Sequence, residues 1–327
     1  AVKQQYTSAM MTKATLGLTK ALVGLTFVGG TIITIVFYAP LIWLRKGILV
    51  GVVLTVVFAL TTIGIGKIGF FSYIDDSGAI LWVAVAQQAI FAVGGFSLLA
   101  LTITDLFRHR DADTGLIFLW VVGTIIFASL INWTINARSI LPMAPAASII
   151  IVRRIEQLAA LKGAKLWPRL ALPLIPALII TFWVTWADFQ WANEHRKSAK
   201  VICTKYKPAA TKLMFLGHWG FQYYMERGGA ESLDILRTYI LPSDLIVVPP
   251  NNTNVSPTFK KKEAYLYDGV VPGTARWLST MDPRSGAGFY SDLWGPLPYS
   301  FGLLAPEPYI IIGVHKPMRF IEWKPRK

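Results

Sequence analysis

The stretch Asn132-Trp133-Thr134-Ile135-Asn136-Ala137-Arg138-Ser139-Ile140-Leu141-Pro142-Met143-Ala144-Pro145 is a polar interruption between two apolar runs. Residues 116–131 before it and residues 146–152 after it are almost entirely apolar. Its two prolines fall in the first turns of the helix that we expect to follow, where a missing backbone donor costs least. The stretch therefore predicts a loop and a helix start between two membrane helices, with the guanidinium of Arg138 at one end of a span.

Arg138 has two interpretations. A helix that begins here points its free N–H groups and the positive end of its dipole towards Arg138. An arginine beside a helix N-terminus is an anion site, and phosphate suits it well. The alternative is a snorkelling arginine that only anchors the span at the lipid headgroups. Arginines are common at helix ends, so the residues alone leave both interpretations open.

The composition divides the chain into two parts. The 327 residues are 54% hydrophobic and only 15% charged, with a mean hydropathy of +0.49. A soluble domain carries about 25% charged residues. The apolar excess lies before Asp188 and thins out after it. We therefore predict an α-helical polytopic membrane domain over residues 1–188 and a small extracytoplasmic α/β domain over residues 189–327.

Six apolar runs predict six membrane spans. They cover residues 18–44, 48–66, 80–107, 116–131, 140–155 and 170–186. Gly94 and Gly95 in the third span permit close helix approach, and Pro173 and Pro176 are kink sites in the sixth. Basic clusters at residues 45–46, 108–110 and 153–165 fall on one face, which the positive-inside rule makes cytoplasmic. The opposite face then receives Arg138 and everything after Asp188.

The net charge and the motifs limit the kinds of molecule that we expect the chain to bind. The net charge of +14 favours anionic lipid surfaces or anionic ligands. Because no nucleic-acid motif is present, nucleic acid is not an expected partner. The single cysteine, Cys203, excludes an internal disulfide and cannot build a metal site alone. The chain also lacks a Walker A loop, an HExxH motif and a GxSxG motif.

Asp75 and Asp76 lie between two predicted spans, on the same face as Arg138, in a loop that also contains Tyr73. Carboxylates are scarce in this half of the chain. A carboxylate at a membrane surface can act as a general base, bind a cation or contact sugar hydroxyls. The alternative is a solvated turn, since Asp-Asp-Ser-Gly is good turn chemistry.

The C-terminal part reads as an α/β domain. Residues 212–216, 245–248, 264–267 and 309–315 are predicted strands, and residues 217–229 contain a helix with a glycine stop. The strand–helix–strand order predicts a βαβ unit with parallel pairing. His218 and Trp219 would lie at the carboxyl end of the first strand, where open α/β sheets bind ligands, or would simply pack the helix start. The aromatic loop over residues 286–302 could lie on the membrane interface or cover a site.

Two of these stretches resemble known proteins. Residues 136–145 look like the Arg-x-x-Leu-Pro-x-x-Pro signature of the glycosyltransferase C superfamily, in the form found in protein mannosyltransferases and bacterial lipid A aminoarabinose transferases (family-39-type enzymes). Residues 215–224, Phe-Leu-Gly-His-Trp-Gly-Phe-Gln-Tyr-Tyr, resemble the extracytoplasmic C-terminal domain of bacterial transferases of that kind. The resemblance covers the later spans and the C-terminal domain.

The resemblance implies a polyprenyl-phosphate-sugar-dependent glycosyltransferase in the bacterial inner membrane, with a periplasmic C-terminal domain. Arg138 would hold the donor phosphate and Asn136 would orient it. The expected sugar or acceptor contacts are Asp75, Asp76, Tyr73, His218, Trp219 and Gln222. The expected partners are a polyprenyl-phosphate-linked sugar and membrane lipids. No cofactor is required by these residues, and a divalent cation remains open.

One departure from the family leaves a second function open. The family's catalytic base is an aspartate in the first extracytoplasmic loop, and here we expect it upstream of Ala1, so the chain would be the C-terminal part of the enzyme. The alternative is a non-catalytic, transferase-like subunit that acts as a scaffold or assembly partner in a larger membrane-protein complex. A transporter is disfavoured, because the spans carry few buried ionisable groups.

Overall fold

The computed structural model describes residues 13–43, 45–163, 165–234, 238–252, 264–271 and 276–319. The chain forms two compact units. The first contains the chain up to Thr185 together with residues 278–302, and the second contains residues 186–277 and the chain from Leu303 onwards. The predicted division at residue 188 lies close to the first boundary. It assigns residues 278–302 to the C-terminal domain, whereas this segment clusters with the first unit.

The first unit is mainly helical. Its helices are α1 (Lys13–Thr31), α2 (Thr34–Ile42), α3 (Arg45–Ile65), α4 (Trp82–His109), α5 (Ala112–Ile126), α6 (Ala137–Ile140), α7 (Ala144–Lys162) and the first part of α8 (Leu166–Tyr206). A π-helical turn, Phe127–Ile131, extends α5, and a 3-10 turn, Leu141–Met143, joins α6 to α7. Four helical stretches of the described chain are long and apolar enough to cross a membrane: Arg45–Ile65, Trp82–His109, Ala112–Ile131 and Leu166–Ala209.

The predicted second, third, fourth and sixth spans fall within these four stretches or overlap them closely. The predicted first span is broken, because α1 and α2 meet at 90° and count as one further span only if the bent pair is taken together. The predicted fifth span corresponds to α7, which is not among the candidate spans. Arg153, Arg154 and Glu156 interrupt its apolar run. The sixth run lies in α8, which continues as a helix through Pro173 and Pro176.

Glycines bring α1 and α4 together. A Cβ at Gly95 would overlap the carbonyl oxygen of Leu25, and a Cβ at Gly29 would overlap that of Phe91. The predicted role of Gly94 and Gly95 in close helix approach is therefore confirmed. By contrast, α3 leaves most of its apolar side chains outside, with Leu49 and Leu60 65% and 64% exposed.

The second unit is built on a sheet in the order β4-β3-β6-β12-β7. Its strands are β3 (Leu213–Phe215), β4 (Glu231–Ser232), β6 (Leu245–Val248), β7 (Ala264–Val270) and β12 (Tyr309–Val314). Strand β3 is parallel to both β4 and β6, whereas β12 is antiparallel to β6 and β7. Helix α9 (Trp219–Arg227) connects β3 to β4, so the predicted βαβ unit with parallel pairing is confirmed.

The core of this unit lies between the sheet and the end of α8. Phe221 of α9 stacks on Tyr309 of β12 with ring centroids 5.3 Å apart, and both are buried with Ile202 and Tyr206 of α8. The remaining short strands are β1 (Lys67–Ile68), β2 (Phe71–Ser72), β5 (Tyr239–Ile240), β8 (Arg276–Ser279), β9 (Met281–Asp282), β10 (Ala287–Gly288), β11 (Ser300–Leu304) and β13 (Met318–Arg319).

Candidate functional site

The Arg138 loop, residues 132–138, is hydrogen-bonded to the segment 278–302. Ile135 and Asp292 exchange two hydrogen bonds: the Ile135 N–H donates to the Asp292 carboxylate at 3.0 Å, and the Asp292 N–H donates to the Ile135 carbonyl at 2.8 Å. The Ala137 N–H donates to the Phe289 carbonyl at 2.9 Å. The backbone on the N-terminal side of Arg138 is therefore held by residues about 150 positions later in the chain.

Asn136 fixes the loop rather than facing a ligand. Its side-chain oxygen accepts from the Ser139 N–H at 2.9 Å and from the Ser139 hydroxyl at 3.0 Å, which makes it the N-cap of α6. Its side chain is buried. This does not fit the predicted direct contact of Asn136 with a donor phosphate. The short α6 also leaves little helix dipole, so the guanidinium of Arg138 is the remaining anion-binding group.

Arg138 is exposed, and its guanidinium carbon lies 5.2 Å from the centre of the Tyr290 ring. Such a cation–π contact at an exposed site is worth about 0.5–1 kcal/mol and fixes the plane of the guanidinium. Among the residues that the structure describes, no carboxylate forms an ion pair with Arg138. Its N–H donors are therefore available to a planar or tetrahedral oxyanion, which arginine can bind in a bidentate manner.

Helix α4 contacts two other segments of the first unit, one near each of its ends. Near the start of α4, the side-chain oxygen of Gln87 accepts the Phe301 N–H at 2.8 Å, and the Gln87 NH₂ group donates to the Phe301 carbonyl at 3.3 Å. At the other end, Asp105 near the close of α4 lies 3.4 Å from the Arg153 guanidinium. A helix rises 1.5 Å per residue, so the two contacts are roughly 27 Å apart. The predicted separation of Arg138 from the basic clusters across a membrane stays a prediction.

The loop with Asp75 and Asp76 reaches the same segment as the Arg138 loop. The Phe70 N–H donates to the Leu293 carbonyl at 3.1 Å, and the Phe70 and Trp294 rings are 5.9 Å apart. Both loops therefore contact residues 289–294. This is where the sequence placed an aromatic loop that could cover a site.

Asp75 organises its own turn. Its carboxylate accepts the Ser77 hydroxyl at 2.6 Å, the Ser77 N–H at 2.8 Å and the Ala79 N–H at 2.9 Å. These hydrogen bonds, the Ser77 hydroxyl first, hold the pKa of Asp75 below its ordinary value. Asp76 is exposed. The turn interpretation therefore describes Asp75, and Asp76 is the carboxylate of this pair that is open to a ligand.

Tyr73 does not fit the predicted contact with a sugar or an acceptor. Its side chain is fully buried, its hydroxyl donates to the Gln88 side chain, and its ring packs edge-on against Phe71 at 4.9 Å. Burial raises the pKa of the Tyr73 phenol well above its ordinary value. Tyr73 thus anchors the loop on α4.

The second unit places His218 and Trp219 where the sequence predicted, immediately after the carboxyl end of β3. The neighbouring strand β6 also ends at this edge, and Asn252 after it accepts the His218 N–H at 3.2 Å. Both aromatic side chains are exposed, and Trp219 has a φ of +54°, which is unusual for a bulky residue. Gln222, one turn into α9, donates to Glu226 at 2.8 Å.

A buried polar cluster lies beneath this edge. His195 of α8 has its Nε2 3.5 Å from the Glu307 carboxylate and its Nδ1 3.5 Å from the Asn252 amide. The Trp191 indole N–H donates to the same carboxylate at 3.1 Å. His195, Glu307 and Asn252 are all less than 3% exposed. The cluster therefore holds the 249–252 turn, and with it the backbone of His218, in place.

Several of these residues escaped the sequence analysis. Asp292 and Tyr290 lie in the aromatic loop 286–302, but no pattern connects them to Arg138. His195, Glu307 and Asn252 lie outside any motif, and their partners are distant in the chain. Two signals were present. Asn252 directly follows a predicted strand of a parallel pair, and His195 is one of only four histidines.

Neither a metal centre nor a similarity to known proteins assigns a function to these residues. No group of three or more His, Cys, Asp or Glu is placed to hold a metal ion within the described residues. Comparison of the chain with protein-family models, with curated proteins and with solved structures finds no match. A functional assignment therefore depends on the residues and on their geometry.

Proposed function

We propose that the chain is part of a polyprenyl-phosphate-sugar-dependent glycosyltransferase of the bacterial inner membrane, with Arg138 binding the phosphate of the lipid-linked donor. The observation that carries the proposal is the setting of Arg138. Its guanidinium is exposed, it has no carboxylate partner among the described residues, and it lies on a loop fixed by Asp292 and Phe289. A fixed, unneutralised guanidinium is suited to a phosphate group.

The remaining residues of the first unit take supporting roles in this proposal. Asn136 and Asp292 position the Arg138 loop, because both bind its backbone. Tyr290 orients the guanidinium plane through its ring. Asp76, which is exposed on the neighbouring loop, is the proposed carboxylate contact for the sugar. The apolar helices α3, α4, α5 and α8 cross the membrane in this proposal. In the second unit, His218 and Trp219 remain the proposed acceptor contacts.

The test is a binding measurement on the full chain in neutral-lipid nanodiscs with undecaprenyl phosphate as the probe. A hydrogen bond to a charged group contributes about 1.5–3 kcal/mol, so Arg138→Ala should weaken binding by roughly tenfold or more. Arg138→Lys should recover part of the lost affinity, since lysine keeps the positive charge but lacks the planar guanidinium that can bind two oxygens. Arg45→Ala removes an exposed arginine at the start of α3 and is the matched control.

Thermal unfolding should differ little between Arg138→Ala and the native chain, because the exposed side chain loses only its contact with Tyr290, worth about 0.5–1 kcal/mol. Binding that survives Arg138→Ala unchanged would remove the role proposed for this residue. Because the catalytic base is expected upstream of Ala1, transfer by this chain alone does not separate the two functions. A gene that encodes an upstream acidic loop would favour the transferase, and a gene without one would favour the non-catalytic transferase-like subunit.

A further inference from the structure

The second unit carries a groove whose charged lining residues are all cations. The groove has a volume of about 730 Å³ and lies between the last turns of α8 and the end of α9. Its principal lining residues are Arg196, Lys197, Lys200, Cys203, Tyr224 and Arg227. The four cations are exposed, whereas Cys203 is buried at the base of the groove.

The packing of α8 against α9 forms the groove. Gly228, directly after α9, has no side chain, and a Cβ there would lie 2.5 Å from the sulfur of Cys203. This glycine lets the end of α9 approach α8 closely. At the end of α9, the Gly228 N–H donates to the Tyr224 carbonyl and the Ala230 N–H donates to the Met225 carbonyl, both at 3.0 Å. The Gly228 carbonyl accepts the ammonium of a further cation, Lys207, at 3.3 Å.

The nearby carboxylates are engaged away from the groove. Glu194 is paired with Arg276 at 3.2 Å, and Glu226 accepts the Gln222 amide at 2.8 Å. Neither carboxylate lines the groove. Arg196 and Lys200 are four residues apart on α8, and like charges at this spacing destabilise a helix. An anion in the groove would remove this repulsion.

We propose that this groove binds a phosphate-bearing anion. Arg196 and Arg227 offer planar forks for phosphate oxygens, and Lys197 and Lys200 add point charges. The ligand is either the headgroup of an anionic phospholipid or a free phosphate or pyrophosphate. The groove lies in a different unit from Arg138. The inference therefore goes beyond the proposed function and does not depend on it.

Hydrogen exchange over residues 196–204 and 224–228, which contain the lining residues of the groove, provides the readout. It is measured on the full chain in phosphatidylcholine nanodiscs while pyrophosphate is added. We expect saturable protection that weakens as salt is raised. A lipid headgroup as the natural source would instead be shown by protection in nanodiscs containing phosphatidylglycerol without added pyrophosphate.

Charge variants inside and outside the groove locate the binding site. Lys200→Glu should weaken the protection by at least about fivefold, the effect of losing one cation at roughly 1 kcal/mol. Lys316→Glu reverses an exposed lysine outside the groove and should leave the protection unchanged, as should Arg138→Ala. Arg227→Gln is a second groove variant in case Lys200→Glu alters folding. The proposal is overturned if neither anion slows exchange in these two segments, or if the groove variants and Lys316→Glu behave alike.

Discussion

Ile135 and Asp292 exchange two hydrogen bonds, of 3.0 and 2.8 Å, across 157 residues of sequence. Ile135 is only 2% exposed, so its N–H depends on the Asp292 carboxylate instead of on water. The pair joins the loop of Arg138 to the 278–302 segment. The orientation of Arg138 is consequently set by a residue that no local sequence pattern connects to it.

Asp292→Ala should destabilise the first unit and weaken phosphate binding together. A buried backbone donor left without its acceptor costs about 1–3 kcal/mol. Asp292→Asn keeps one side-chain acceptor and is expected to recover most of the stability. Thermal unfolding in detergent and undecaprenyl phosphate binding are the two measurements. If the alanine variant matches the native chain in both, the pair does not hold the Arg138 loop.

The strand β7 is tied to α8 by a contact that depends on pH. The carboxylate of Asp268 accepts from the Lys205 ammonium at 2.8 Å and from the Tyr206 hydroxyl at 2.6 Å. These hydrogen bonds, the Lys205 bond first, lower the pKa of Asp268 to about 2. The folded-state pKa lies below the unfolded one, so the stabilisation is present above about pH 4 and is lost as the pH falls through about 2.

Asp268→Asn isolates this contribution. The midpoint of thermal unfolding is measured for the native chain and the variant at pH 5, 3.5 and 2. All other carboxylates titrate equally in both proteins, so their effect cancels in the difference. The native chain should be the more stable at pH 5, and the difference should shrink towards pH 2. A difference that stays constant over this range would contradict the assigned pKa shift.

The sequence predicted the helices of the second, third and fourth runs well, because each run is apolar and long. It failed at the first and fifth runs for physical reasons. The bend between α1 and α2 depends on packing against α4, which local hydropathy does not encode. In α7, Arg153 donates to the Asp105 carboxylate and the Thr114 hydroxyl on neighbouring helices. The hydropathy of one run cannot predict such contacts, because they depend on the other helices.

The candidate site was predicted in part. Arg138 stood out because it lies in a polar interruption between two apolar runs, beside a predicted helix start, and His218 because it follows a strand of a parallel pair. Their supporting residues, Asp292 and Glu307, could not be found in this way. Each acts through a contact more than 100 residues away in sequence. The aromatic run at residues 286–302 was the one local signal that this segment packs against something.

Glu307 is the acceptor on which the buried cluster of the second unit depends. Glu307→Ala removes the acceptor of the Trp191 indole N–H, and a buried donor left without its acceptor costs about 1–3 kcal/mol. Glu307→Gln keeps an acceptor for the indole and should be milder. Glu231→Ala removes an exposed glutamate paired with Lys212 and should cost at most about 1 kcal/mol.

Hydrogen exchange over residues 186–206 and 249–252 measures the effect of Glu307 locally. The alanine variant should exchange faster in both segments, since the cluster joins α8 to the 249–252 turn through Asn252. Equal exchange in the variants Glu307→Ala and Glu231→Ala would mean that the cluster does not order this edge of the sheet.

Substitution of Gly95 tests the contact between α1 and α4. A methyl group there would overlap the Leu25 carbonyl, which is backbone and cannot rotate away, so Gly95→Ala must push the helices apart. Overpacking of this kind costs typically about 1–3 kcal/mol. Gly123→Ala on α5 is the matched control, because nothing lies within 4 Å of its Cβ. It should be neutral or stabilising by about 0.5–1 kcal/mol, the ordinary gain from alanine in a helix. Thermal unfolding in detergent compares the two, and a Gly95→Ala chain as stable as Gly123→Ala would show that α1 and α4 do not pack through this glycine.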